Sequence, residues 1–150
     1  MLCFHQPHQG WRSVLEDIQL KLASRSDEEW ATSLLIKSPV CGVSTVRSDS
    51  LEHQEVVYLI INAGARVGFL TYRKIGDQLF NLFVSPAHRL QGVGRHAVAK
   101  LFSEMGKNGV GEIIVNSVDE AVQFWEKTFH GFQVQMDGDN KFIVSISSLM

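Results

Sequence analysis

The sequence predicts one α/β (α+β) domain on a mixed sheet, in which an antiparallel meander leads into a parallel β-α-β core and a C-terminal hairpin. Three observations carry this. Apolar runs at 56–61, 66–72 and 78–84 are joined by Asn62-Ala63-Gly64 and Lys74-Ile75-Gly76-Asp77, links that suit antiparallel neighbours. Val93, Ala97, Val98, Leu101, Phe102 and Met105 then recur at helical spacing between the runs 79–84 and 112–116. That crossover sets its two flanking strands parallel. Finally, runs at 132–136 and 141–147 flank Asp137-Gly138-Asp139-Asn140, a hairpin turn.

In chain order, Cys3-Phe4-His5 is a candidate short strand stopped by Pro7. Trp11, Val14, Leu15, Ile18 and Leu22 fall on one stripe and predict an amphipathic helix. Ser26 and Glu29 have capping-box spacing, which starts a second helix over 27–36, ending before Pro39. Residues 38–53 mix Pro, Gly, Ser and charge and read as a loop with an irregular edge segment. After the meander the central helix ends near Gly106. Ser117 and Glu120 repeat the capping-box spacing ahead of a helix carrying Ala121, Val122, Phe124, Trp125 and Phe129. No repeat or linker divides the chain, so residues 1–150 read as a single domain.

Composition narrows the function classes. A chain of 150 residues can bury a full core. Fourteen Lys and Arg against 16 Asp and Glu leave a net charge of −2, with no overall field to attract nucleic acid or an anionic membrane. Cys3 and Cys41 stand alone, which argues for reduced thiols and against a zinc site or disulfide framework. The N-terminus lacks a secretory apolar region, and the longest apolar run, 56–61, is too short to span a bilayer. These features predict a cytoplasmic protein with no metal.

The candidate site is the turn from Val84 to Arg95. Gly92 and Gly94 open the helix without Cβ atoms, so backbone amides there can approach a ligand with the positive end of the helix dipole behind them. Arg89 and Arg95 flank it, and a phosphate or pyrophosphate is the expected occupant. A P-loop would need Lys-Ser or Lys-Thr after the last glycine, where this chain has Arg95-His96. Gly92-Val93-Gly94-Arg95-His96-Ala97 matches a loose dinucleotide fingerprint, with Asp119 in the acidic role. Against that reading, the turn after Val84 is long, and only 56 residues follow Gly94.

Arg89-Leu90-Gln91-Gly92-Val93-Gly94 after Val84-Ser85-Pro86 resembles the Arg/Gln-x-x-Gly-x-Gly/Ala pyrophosphate loop of the GNAT superfamily of N-acetyltransferases. Ala121-Val122-Gln123-Phe124-Trp125-Glu126-Lys127, with Gly131-Phe132 downstream, is similar to that family's Ala-x-x-Phe-Tyr-Glu-Lys-x-x-Gly-Phe signature. The resemblance spans about 55–147 and implies a GNAT-like fold with acetyl-CoA between a splayed pair of parallel strands. Its pyrophosphate would rest on Arg89, Leu90, Gln91, Gly92, Val93, Gly94 and Arg95. The pantetheine would pair with strand backbone at Leu82, Phe83 and Val84, with Asn116, Phe124 and Trp125 on the other wall.

The resemblance also exposes departures. Trp125 holds the position where many members carry the tyrosine that protonates the leaving thiolate, and an indole N–H does not give up its proton at usable pH. Gln78 and Ile113 stand where some members carry a glutamate base. No catalytic residue is therefore assigned. A backbone N–H near Val84 could polarise the carbonyl. His88 and His130 read as loop histidines ahead of site residues, His96 as a residue on the polar side of its helix, and Ser117 as a cap. Asp27, Glu28, Glu29, Asp137 and Asp139 lie where members build the acceptor pocket, and read first as solvated acids. Two functions follow from the resemblance: acetyl transfer from acetyl-CoA to a primary amine of a small molecule or protein, or a CoA-binding module without transfer. A homodimer is left open.

Overall fold

The computed structural model describes residues 18–37, 45–48 and 54–146. The strands are β1 (Ile18–Leu22), β2 (Glu55–Asn62), β3 (Ala65–Arg73), β4 (Gln78–Val84), β5 (Glu112–Asn116), β6 (Gln133–Met136) and β7 (Lys141–Ser145). The α-helices among the described residues are α1 (Arg25–Lys37), α2 (Val93–Lys107) and α3 (Val122–Thr128). Among the described residues one sheet holds all seven strands, in the order β1-β2-β3-β4-β5-β7-β6. Neighbours are antiparallel except β4 and β5, which are parallel as the crossover through α2 requires.

Alternation along the strands sends successive side chains to opposite faces and makes two cores. On one face Ile60, Leu70, Tyr72 and Leu79 pack under Val93, Ala97, Leu101 and Phe102 of α2, under Trp125 of α3 and under Phe129, which caps the end of α3. On the other, Val57, Leu59, Phe69 and Phe83 pack under Ala31 and Leu35 of α1 and under Val46. Phe102 is fully buried and stacks on Phe129 with ring centroids 5.8 Å apart. Burying a side chain of this size stabilises by about 1.5–3 kcal/mol, and this stack fixes α3 against α2.

The meander, the central helix, β5 and the hairpin form as the sequence predicts. The first expected helix does not extend over its last two members. Ile18 and Leu22 belong to β1, which pairs along its length with β2 from Ile18↔Asn62 to Leu22↔Tyr58. Ile18, Leu20 and Leu22 also alternate with Gln19 and Lys21, a period of two that an i, i+4 stripe conceals. Trp11, Val14, Leu15, the Cys3-Phe4-His5 strand, and both cysteines lie outside the described residues.

The cap of α1 is also displaced. Ser24, not Ser26, accepts from the Asp27 N–H at 3.2 Å, while Asp27 Oδ2 accepts from the Ser24 N–H at 3.0 Å. This is the reciprocal pairing of a capping box, two residues earlier than Ser26 and Glu29 suggested. Ser117 is not a cap either: its hydroxyl donates to the Val118 carbonyl at 2.6 Å, and a single 3-10 turn over Asp119–Ala121 precedes α3. In the 38–53 segment, Val46 is buried, with its N–H held by Thr32 Oγ1 at 3.0 Å.

Candidate functional site

The site begins where the sheet comes apart. β4 and β5 share one register pair, Gln78↔Ile114, beside a bond from the Ile114 N–H to the Asp77 carbonyl at 2.9 Å. Beyond that point the two strands diverge. β5 is held on its far side by β7 along its whole length, and β4 by β3, through Leu82↔Leu70, Phe83↔Phe69 and Val84↔Gly68. A Cβ on Gly68 would overlap the Phe83 carbonyl, so glycine is what lets β3 lie this close to the end of β4.

The turn after β4 is braced by its own polar groups. The Ser85 N–H donates to the Val67 carbonyl at 2.8 Å, and Pro86–His88 form a 3-10 turn. Arg89 Nε donates to the Val84 carbonyl at 2.8 Å, with its guanidinium 5.3 Å from the Phe83 ring centroid. Gln91 Nε2 donates to the Ala87 carbonyl at 3.4 Å. Leu90 is fully exposed at φ +63°, a left-handed conformation costly for a branched side chain.

Gly92, at φ +81°, caps α2 without any side-chain hydrogen bond. The helical ladder begins with the His96 N–H donating to the Gly92 carbonyl at 3.1 Å. The amides of Val93, Gly94 and Arg95 come before it and point out of the helix start, where the dipole favours an anion. His96 turns its ring back onto the same helix, Nδ1 lying 2.6 Å from the Gly92 carbonyl.

Across the gap stands α3. A Cβ on Gly94 would lie 3.3 Å from Phe124 Cζ and 3.5 Å from Leu82 Cδ2, so the missing side chain leaves the helix start open against both walls. The result is a cleft of about 680 Å³. Leu82, Val84, all seven residues from Arg89 to Arg95, Phe124 and Trp125 line it. Phe83 does not: its ring is buried on the α1 face, stacked on Phe69. Asn116 does not either, being exposed at the end of β5 opposite Lys141.

Glu120, Ala121, Gln123, Lys127 and Thr128 also line the cleft, together with His88. The first five were missed although helical spacing could have found several, since Glu120, Phe124 and Thr128 are four apart on one face. With Arg89, Arg95 and Lys127 against Glu120, cations outnumber acids on the lining. Trp125 is only 7 % exposed, stacked on Phe129 at 5.3 Å and edge-on to Phe124 at 4.9 Å. It is both core and cleft wall. Two buried polar atoms on this lining, His88 Nδ1 and Thr128 Oγ1, lack a hydrogen-bond partner.

The remaining candidates lie elsewhere. His130 is exposed and outside the cleft lining, Ile113 is buried in the core, and Gln78 sits at the closed end of the seam. Asp119 accepts from Asn140 Nδ2 at 2.6 Å, and Asp137 pairs with Lys141 at 3.5 Å. Asp27 holds Arg66 at 3.2 Å and Glu28 accepts from the Ser48 hydroxyl. The Ser24 N–H, with its hydroxyl and Arg66, holds the Asp27 carboxyl below the usual carboxylate range against the opposing effect of burial. Glu28 and Glu29 line a separate groove of about 560 Å³ between α1 and the segment 45–48, with Arg25 and Arg47 as counter-charges. Among the described residues no group of three His, Cys, Asp or Glu could hold a metal ion, and no helix is long and apolar enough to cross a membrane.

Residues 20–132 match the model of the acetyltransferase (GNAT) family. Among solved structures, a protein from Desulfovibrio desulfuricans assigned to the GNAT family has a TM-score of 0.63 at 13% identity, over 85% of this chain and 97% of its own. Mutant forms of the spermidine/spermine N-acetyltransferase SpeG from Vibrio cholerae reach 0.62 at 11% identity, over 87% of this chain and 92% of theirs. RimL, a ribosomal L7/L12 alpha-N-protein acetyltransferase, reaches 0.59 at 17% identity, over 86% and 90%. Comparison with curated protein sequences returns no match.

Proposed function

The chain belongs to the acetyltransferase (GNAT) family, and from that premise we propose that it is an acetyl-CoA-dependent N-acetyltransferase acting on a primary amine of a small molecule or protein. The observation that carries the reading is the uncapped start of α2, opened by Gly92 and Gly94 onto a cleft lined by Arg89, Arg95 and Lys127. Backbone amides at a helix start bind phosphate oxygens without side chains, and the cations add charge-assisted bonds. The amides of Val93, Gly94 and Arg95 would hold the pyrophosphate. The β5-facing edge of β4 at Leu82, Phe83 and Val84 would hold the pantetheine as an added strand.

Bound acetyl-CoA would supply an activated acetyl thioester. The chain's part is to hold it in the seam, exclude water with Leu82, Phe124 and Trp125, and polarise the carbonyl through backbone near Val84. No side chain is assigned as acid or base: Trp125 has no transferable proton, and Gln78 and Ile113 do not titrate. Proton transfer falls to water and to the amine's own ionisation. SpeG and RimL are named for a polyamine and a protein α-amine, which supports an amine here without choosing between the two. The reading is compatible with a homodimer and with the cytoplasm, where lone cysteines stay reduced.

Trp125 favours a second reading, a CoA-binding module that transfers nothing. Titration calorimetry with CoA, followed by a thiol-release assay with acetyl-CoA and a panel of amines and peptides, separates the two. Amine-dependent thiol release supports the transferase, binding without release for every amine supports the module, and absence of binding overturns both.

A further inference from the structure

Thr128 is the last residue of α3 and is 6 % exposed, yet its hydroxyl has no hydrogen-bond partner. A helical threonine usually satisfies this group on a carbonyl three or four residues back. A buried hydroxyl left unpaired destabilises the fold, and a valine of the same shape would avoid that cost. Among the described residues three buried side-chain polar atoms lack partners, and two of them, on Thr128 and His88, belong to the lining of one cleft. Both atoms are themselves covered in the free protein, while their side chains form part of the wall where a ligand would sit.

We propose that the Thr128 hydroxyl is a ligand-binding group, unpaired and covered in the free protein, which a turn of χ1 brings to the cleft and a hydrogen bond donated to an acceptor oxygen of the bound acyl donor completes. The inference rests on the acetyl-CoA reading above and adds to it a recognition residue on α3, one turn beyond Phe124. Nothing in either sequence signature marks position 128.

The test uses the whole chain, with CoA as probe, and measures affinity by calorimetry and the thermal midpoint of the free protein. Thr128→Val is expected to leave the midpoint unchanged or higher while weakening CoA binding about fivefold or more, the loss of roughly one net hydrogen bond. Thr128→Ser, which keeps the hydroxyl, is expected to bind within about twofold of the unaltered chain. A structural role would instead lower the midpoint of the valine variant, and that result overturns the proposal. So does a valine variant that binds CoA as tightly as the unaltered chain. An unaltered chain that shows no binding at all fails differently, overturning the acyl-donor reading and this inference with it.

Discussion

Two helix starts in this protein solve the same physical problem in opposite ways. Every helix begins with backbone N–H groups that have no partner within it. At α1 the chain supplies its own partners: Ser24 and Asp27 cap each other, and Arg66 ties the cap to the sheet. At α2 it supplies none, because a left-handed glycine stands at the cap and a second glycine follows two residues later. One start is closed for stability. The other is left open for an anion, and the difference lies in which residue occupies the cap.

The comparison can be broken most strongly at Gly92. A β-branched side chain at φ +81° is strained by about 1–3 kcal/mol, so Gly92→Val should displace the turn. CoA affinity is expected to fall at least about a hundredfold, the equivalent of two lost charge-assisted hydrogen bonds, read by calorimetry beside a urea melt.

Gly94→Ala is gentler. The new Cβ would meet Phe124 Cζ at 3.3 Å, and the ring must shift. Alanine's higher helix propensity, about 1 kcal/mol, offsets the clash in stability, so the melt should change little while CoA affinity drops about tenfold.

The closed start should respond in the reverse pattern. Asp27→Asn is expected to cost about 1 kcal/mol at neutral pH and leave CoA affinity unchanged. Because the folded Asp27 has a lowered pKa, its contribution is present above the ordinary carboxylate value and is lost as pH falls through the folded one. The unaltered chain should therefore lose stability below about pH 4 more steeply than the asparagine variant, in urea melts across that range.

The smallest effect belongs to Leu90→Gly. Relief of the left-handed backbone, about 1–2 kcal/mol, is largely offset by the freedom glycine adds to the unfolded chain. A net gain of about 0.5 kcal/mol is expected by chemical denaturation, with CoA affinity held.

The same contrast explains what the sequence made legible. The open start was readable because it is local: two glycines, flanking arginines and a preceding apolar strand lie within about a dozen consecutive positions. The closed start was misplaced by two residues because Ser24 and Ser26 both have an acid three positions on, Asp27 and Glu29, and only the path of the chain out of β1 decides between them. β1 itself was hidden because Ile18 and Leu22 satisfy a helical and a strand period alike, and its partner β2 lies some forty residues away. Thr128 escaped notice for another reason: an unpaired hydroxyl is a property of what surrounds it, which residue spacing does not encode.

That the open start of α2 receives CoA is tested most directly through its own amides. An amide NMR titration with CoA should move the resonances of Gly92, Val93, Gly94 and Arg95 furthest and leave those of Arg25, Ser26 and Asp27 at the capped start of α1 in place. Saturating CoA that shifts neither group, or shifts the start of α1 instead, would contradict it.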